Sequence, residues 1–161
     1  MKKKHTAAFH LASGAIIAAL YVVFTLAFAP ISFGGMQIRV AEMLTILPLF
    51  TPVAIPGLFA GCVLANILGG AIIWDIVFGS LATLIGASLG YLLRAHRWLV
   101  PLPAVLANAL IVPFVLWYGY GMTNVPVWLL MVYIAVGELI GCYVLGELLA
   151  SVLKRYKRFI F

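Results

Sequence analysis

The stretch Val40-Ala41-Glu42-Met43-Leu44-Thr45-Ile46-Leu47-Pro48-Leu49-Phe50-Thr51-Pro52-Val53-Ala54-Ile55-Pro56-Gly57-Leu58-Phe59-Ala60-Gly61-Cys62-Val63-Leu64-Ala65-Asn66-Ile67-Leu68-Gly69 decides how this chain is organised. It is apolar almost throughout. A membrane-crossing helix needs about 20 residues, so this run is one long span or two short ones. The basic residues choose between them. Lys2, Lys3 and Lys4 precede a first apolar run at 7–29, and Arg94 and Arg97 follow another at 73–93. Short basic segments beside apolar runs mark the cytoplasmic side, so an even number of crossings must separate the two clusters. A single span over 40–69 would make that number odd. The run therefore folds back on itself, and Pro48, Pro52, Pro56 and Gly57 supply the break by removing backbone donors and favouring a turn.

Working outward, runs at 99–118 and 126–153 form a hairpin about Gly119–Pro126 and return a basic tail, Lys154, Arg155, Lys157 and Arg158, to the cytoplasmic side. The expected fold is an all-α integral membrane protein, a six-transmembrane-helix bundle with N- and C-termini cytoplasmic. Its spans fall near 7–29, 39–50, 56–69, 75–93, 99–118 and 126–153, within one domain over 1–161. The second and third spans are short, so tilting or shelter by neighbouring helices is implied. The start of the chain is like a signal peptide, but the apolar run from Ala7 to Ala29 exceeds a normal h-region and reads as a retained first span.

Composition agrees. With 66% hydrophobic residues and only 9% charged, one soluble core cannot hide the apolar surface, whereas lipid can cover it. The formal charge of +6 does not point to nucleic acid, because the basic residues cluster at the ends of apolar runs and serve topology and anionic headgroups. Cys62 and Cys142 lie inside apolar runs without a His or Cys neighbour, which suits small buried residues rather than a metal site or disulfide framework.

Small residues recur at helical spacing: Gly57, Gly61, Ala65 and Gly69; Gly79, Thr83, Ala87 and Gly90; Gly137 and Gly141; Ala15 and Ala19. Such faces let helix backbones approach closely in lipid, either within the bundle or against another membrane protein.

Charge inside a membrane is costly, by ~2.5–3.5 kcal/mol per residue on insertion scales, so intramembrane ionisable groups need an explanation. Glu147, near the inner end of the last span, is placed to snorkel toward Lys154 or the interface. Arg39 and Glu42 share a helix face; they pair with each other or frame a ligand opening. Asp75 caps the fourth helix or faces a cavity. Glu138, deep in the last span between Gly137 and Leu139, is the strongest ligand candidate. Asn66 and Asn108 add amides, and helical phase favours Tyr118 over Trp117 as a cavity residue, with Trp117 at the interface belt. Trp74, Tyr118 and Tyr120 belong to the external end. An acidic, amide-rich and aromatic outer half suits a planar heterocycle with N–H donors or a positive group.

The chain shows no nucleophile–base constellation, metal cluster or phosphate-binding loop, so an enzyme is not expected, and any ATP-driven transport needs partners. A self-sufficient secondary carrier using Glu138 as a proton relay, or a membrane scaffold with small docking faces, are the competing classes.

Six runs, in order along nearly the whole chain, carry a family resemblance: 30–34 (Pro-Ile-Ser-Phe-Gly), 37–42 (Gln-Ile-Arg-Val-Ala-Glu), 61–66 (Gly-Cys-Val-Leu-Ala-Asn), 75–83 (Asp-Ile-Val-Phe-Gly-Ser-Leu-Ala-Thr), 102–110 (Leu-Pro-Ala-Val-Leu-Ala-Asn-Ala-Leu) and 137–143 (Gly-Glu-Leu-Ile-Gly-Cys-Tyr). Together they resemble the queuosine-precursor transporter (QueT) family. The resemblance implies the substrate-binding S component of an energy-coupling factor transporter in the bacterial plasma membrane. Its partners would be a transmembrane scaffold (T) subunit and two ATPase subunits that use the ATP, this chain holding no cofactor of its own. The implied ligand is a 7-deazaguanine base, a queuosine precursor, with loop 30–38 as lid. Ala15 and Ala19 would then dock the scaffold. On this reading Glu138, Asn108, Asn66 and Asp75 meet the base edges and amine, Tyr118 or Trp74 stacks on the ring, and Arg39 and Glu42 orient the lid.

Overall fold

A computed structural model describes residues 6–32 and 38–160, the side chains of 156–160 excepted, and every regular element among them is helical. Helix α1, Ala7–Ala27, starts on Thr6, whose hydroxyl accepts from the Phe9 amide. A single turn, α2, follows at Ala29–Ser32. Residues 33–37, the middle of the expected lid, lie outside the described residues.

The run that decides the topology is indeed broken. A 3₁₀ helix occupies Val40–Leu49, and α3 begins afresh at Ala54 and runs to Leu68. Helices α4, Ile73–Leu92, and α5, Leu102–Phe114, come next. Helix α5 continues without a break as a π-helical segment, Val115–Gly119. Helix α6, Val127–Glu138, likewise passes through a π segment, Leu139–Leu145, into α7, Gly146–Ile160. Four helical stretches are long and apolar enough to cross a membrane, and Val40–Leu49 and Ala54–Leu68 are shorter apolar helices. The chain is a membrane protein.

The 3₁₀ helix has a physical logic of its own. Three residues per turn with about 2.0 Å of rise let ten residues reach about 20 Å, against about 15 Å as an α-helix. The same geometry stacks every third side chain in a row. Ala41, Leu44 and Leu47 form one row and enter the apolar core with Ile17, Tyr21, Leu58 and Cys62. Ile46 and Leu49 belong to a second and meet Val100 and Ala150. The third row, Glu42, Thr45 and Pro48, is buried too. This segment packs against α1, α3, α4, α7 and the second π segment, so it is the axis of the bundle and other helices surround it. Shelter by neighbours, expected for the short spans, is what it has.

Around that axis α1 packs on α3, α3 on α4, α4 on α5 and α5 on α6. Glycines set the spacing. A methyl group at Gly61 would lie 2.7 Å from Tyr21 Cβ and 3.0 Å from the Ala18 backbone, and one at Gly57 would lie 2.9 Å from the Gly14 carbonyl. Gly86 meets Ala104 in the same way, and Gly141 meets the Arg39 carbonyl at 2.9 Å. These small faces serve internal packing. Ala15 and Ala19 do not: both are exposed on α1, on a different side from Ala18 and Tyr21.

Candidate ligand site

Four charged residues from three helices, one of them at a helix cap, meet inside the bundle. Arg39, Glu42, Asp75 and Glu138 are exposed by 1%, 0%, 1% and 2% respectively, far below what an unpartnered ionic group tolerates. Arg39 enters from the turn before the 3₁₀ helix, Glu42 from its first turn, Asp75 from the first turn of α4 and Glu138 from the end of α6.

The acidic groups are held differently. Asp75 pairs with Arg39 at 3.5 Å and accepts from the Tyr120 hydroxyl at 3.2 Å. It is not the cap of α4, since Ile72 holds that position; an anion in the first turn still lies at the favourable end of the helix dipole. Gly79 makes room for this group: a methyl there would lie 2.8 Å from Asp75 Oδ1, 3.4 Å from Asn66 Nδ2 and 3.8 Å from the Arg39 guanidinium. Asn66 donates to the Asp75 carbonyl at 3.2 Å.

Glu42 does not take Arg39 as its ion-pair partner. Its Oε1 accepts from the Tyr21 hydroxyl and from Thr83 Oγ1, the latter at 3.3 Å, while Oε2 is buried with no hydrogen bond. Glu138 accepts from the Cys142 thiol at 3.3 Å, and the Thr45 hydroxyl, which donates to the Glu42 carbonyl at 2.6 Å, lies 3.4 Å from the same sulfur. Asn108 adjoins Glu138, yet neither its nitrogen nor its oxygen completes a well-formed hydrogen bond. A buried amide or carboxylate oxygen left without a partner costs about 1–3 kcal/mol.

Of the residues singled out in the sequence, Arg39, Glu42, Asn66, Asp75, Asn108 and Glu138 thus converge. Trp74 and Tyr118 do not join them. They are 57% and 74% exposed and line an apolar groove of about 580 Å³ with Phe78, Leu110, Ile111, Phe114, Val115 and Gly119. None of the buried charged residues lines that groove. The expected phase from Asn108 holds as far as Val115, which is buried, and fails beyond it because the π segment takes more residues per turn. Trp117 is the one turned inward, against the cluster of Val112, Leu116, Leu130 and Ile134. Glu147, expected to reach toward Lys154 or the interface, pairs with Arg97 ahead of α5.

Tyr21 and Thr45 carry no sequence expectation, and Thr83, Cys62 and Cys142 are expected only as small or buried residues. Both cysteines are buried and form no disulfide, and both sulfurs adjoin the polar network: Cys62 accepts from Asn66 at 3.7 Å and lies 3.5 Å from the Thr83 hydroxyl. A signal for Thr45 existed in its three-residue spacing from Glu42, and for Tyr21 in its place on the Gly14–Ala18 side of α1. No spacing rule could connect Glu42 with Cys142. Ligand atoms of Glu42, Glu138 and Cys142 nonetheless lie within 4.8 Å of one another.

Tyr120 ties the loop between the first π segment and α6 to α4 through Asp75 and the Ile72 amide. Burial, and then the Asp75 charge, push its phenol above the ordinary value, so it stays a donor at neutral pH.

The buried cluster of one guanidinium and three carboxyl groups offers acceptors for N–H donors or positive groups. The Queuosine precursor transporter QueT of Lactococcus lactis subsp. cremoris (strain MG1363) is 40% identical over 96 residues, 58% of this chain and 54% of that protein. The matched stretch thus spans about half the length of that relative. No solved structure matches the chain. Residues 11–155 match the QueT transporter family, a stretch that includes every residue of the buried cluster. This chain belongs to the QueT transporter family.

Proposed function

We propose that this chain is the substrate-binding membrane subunit of an energy-coupling factor transporter that takes up a queuosine precursor, a 7-deazaguanine base. The family match over residues 11–155 carries the reading, and the buried polar cluster supports it. A deazaguanine presents several N–H donors on one edge, which carboxylates accept, and mixed donor and acceptor groups that an amide such as Asn108 or Asn66 can read. Arg39 and Asp75 set the cluster's geometry, and the tyrosine and threonine hydroxyls orient the carboxylates.

In this proposal the chain is one domain that crosses the bacterial plasma membrane six times with both ends in the cytoplasm. The 3₁₀ helix and α3 are the two short crossings. A scaffold subunit docks on the exposed Ala15 and Ala19 face, where small side chains admit another helix. Two ATPases supply the energy, and the ATP belongs to them. The cluster is buried, so binding also requires the bundle to open around it.

The test is thermal unfolding of the purified chain in detergent with a panel of guanine and 7-deazaguanine bases. A ligand that binds only the folded state raises the midpoint by mass action. Selective stabilisation by a deazaguanine supports the reading, and indifference of the folded protein to every base refutes it. Uptake by the chain alone in liposomes under a proton gradient, without ATPases, would replace the energy-coupling assignment with a secondary carrier.

A further inference from the structure

We propose that the apolar groove between α4 and α5 is a lipid site, which takes one acyl chain of a membrane phospholipid at the end of these helices remote from Arg94 and Arg97. It lies apart from the buried polar cluster and does not depend on the ligand proposed above.

The groove follows from how the two helices meet. Toward the basic loop they are in close contact: a methyl group at Gly86 would lie 2.6 Å from Ala104 Cα, and one at Gly90 would lie 2.7 Å from the Val100 carbonyl. Toward the other end the facing side chains are large, with Trp74 and Phe78 on α4, Leu110, Ile111 and Phe114 on α5, and Tyr118 in the π segment. The space they line measures about 580 Å³, within the range of sites that hold small molecules. It closes again where Gly119 meets the start of α4, a methyl there lying 2.6 Å from Ile72 Cδ1.

Its walls are fixed in advance. The Trp74 ring stacks on Phe78 with centroids 6.0 Å apart and planes 18° from parallel. The Tyr118 ring stands edge-on to Trp117 at 4.7 Å, and Trp117 is anchored against Leu116 and Leu130.

The surroundings choose the occupant. Val77, Phe78 and Leu81 on α4 and Leu106, Leu110 and Phe114 on α5 are all exposed, so the groove is continuous with the lipid-facing surface of two helices long and apolar enough to cross the membrane. Water is a poor occupant, because such a lining gives it few hydrogen bonds. A partner helix is poorer still. The close helix contacts of this chain rest on Gly57, Gly61, Gly86 and Gly141, whereas the glycine of the groove, Gly119, is already taken up by Ile72. A slender acyl chain needs no such small face. From Leu110 to Tyr118 the groove runs about 12 Å at about 1.5 Å of rise per residue, which fits inside one leaflet, about 15 Å deep. Trp74 and Tyr118 stand near its end, at the depth where aromatic rings meet headgroups.

Trp74 and Gly119 directly precede Asp75 and Tyr120, whose side chains are hydrogen-bonded to each other. An acyl chain in the groove therefore supplies dispersion contacts beside the point where the loop before α6 is tied to α4.

The experiment uses two single-tryptophan forms of the chain, the other tryptophans being changed to Phe. One keeps Trp74. The other keeps Trp128, which is 65% exposed on α6 and is not a lining residue. Each is purified in detergent, stripped of lipid and titrated with phosphatidylcholine brominated on its acyl chains, since bromine quenches indole fluorescence on contact. Trp74 is expected to be quenched at about one tenth of the lipid concentration that Trp128 requires, a tenfold preference for the groove, and to saturate at about one lipid per chain. Ile111→Phe and Leu110→Phe, which narrow the groove, should bring the Trp74 curve to that of Trp128. Leu110 is 58% exposed, so its replacement leaves the core intact and the chain folded. Coincident curves for Trp74 and Trp128 without a narrowing change overturn the site, as does a preference that both narrowing changes leave untouched. Trp74 shielded from the bromines in chains that run as dimers also overturns it and assigns the groove to a second copy. The deazaguanine reading stands or falls separately, on its own unfolding test.

Discussion

Two arginine–carboxylate pairs in this bundle have the same chemistry and opposite circumstances. Arg39 and Asp75 are 3.5 Å apart and each 1% exposed, while Arg97 and Glu147 are 2.5 Å apart with exposures of 23% and 13%. By distance alone the second pair is the stronger. Yet Arg97 and Glu147 join the loop before α5 to the start of α7, beside the basic end of the bundle, where water or headgroups replace a lost partner. Nothing of the kind is available to Arg39 and Asp75. What a pair contributes is decided less by its separation than by what its members meet when it is broken.

The largest expected effect tests that statement at its centre. Arg39→Ala leaves three acidic groups buried without the cation and is expected to cost about 3–5 kcal/mol, seen as a large fall in the unfolding midpoint in detergent. Adding Asp75→Asn should recover part of the loss. If Arg39→Ala proves no worse than a change at Arg97, the contrast between the pairs is wrong.

Tyr21→Phe comes next. It removes one of the two donors to Glu42 Oε1 and is expected to cost about 1.5–3 kcal/mol, as for a buried hydrogen bond to a charged group. Equal loss from Thr83→Val would show that the two donors share the task. Arg97→Gln should cost about 0.2–1 kcal/mol, with the difference from wild type fading as salt is raised. A salt-independent loss would mean that this pair is more enclosed than its exposure indicates.

The smallest effect is at Tyr120, which touches the buried pair from outside. Its phenol titrates above the ordinary value near 10 in the folded protein, so the contribution is complete below that pH and is lost as pH rises beyond it. Tyr120→Phe should flatten the alkaline part of the stability profile and change little at pH 7.

Much of this was legible in the residues. The expected break is real and falls at 50–53 around Pro52, whereas Pro48 is accommodated inside the 3₁₀ helix and Pro56 and Gly57 in the first turns of α3. Glu138, Asp75, Arg39, Glu42, Asn66 and Asn108 could be picked out because polar groups in apolar runs must meet one another or a ligand. The three-residue spacing of Arg39 and Glu42 correctly placed them on one side, although their partners turned out to be Asp75 and Tyr21. The aromatic assignments went otherwise for a definite reason. Tyr118 and Trp117 lie in a π segment, where extrapolating a 3.6-residue period from Asn108 turns each side chain to the wrong side.

What the sequence determined by itself is the class of molecule and its parts: apolar helices for lipid, a broken run, basic ends and a handful of costly polar groups, all fixed by transfer free energies that each residue carries wherever it sits. What only the tertiary structure decided is which of those groups meet. Glu42 and Cys142 are brought together by a 3₁₀ axis surrounded by other helices and by a π segment following Glu138. Contacts of that kind depend on helix phase and on backbone approaches as close as Gly141 to Arg39, and neither is a property of any residue or spacing taken alone.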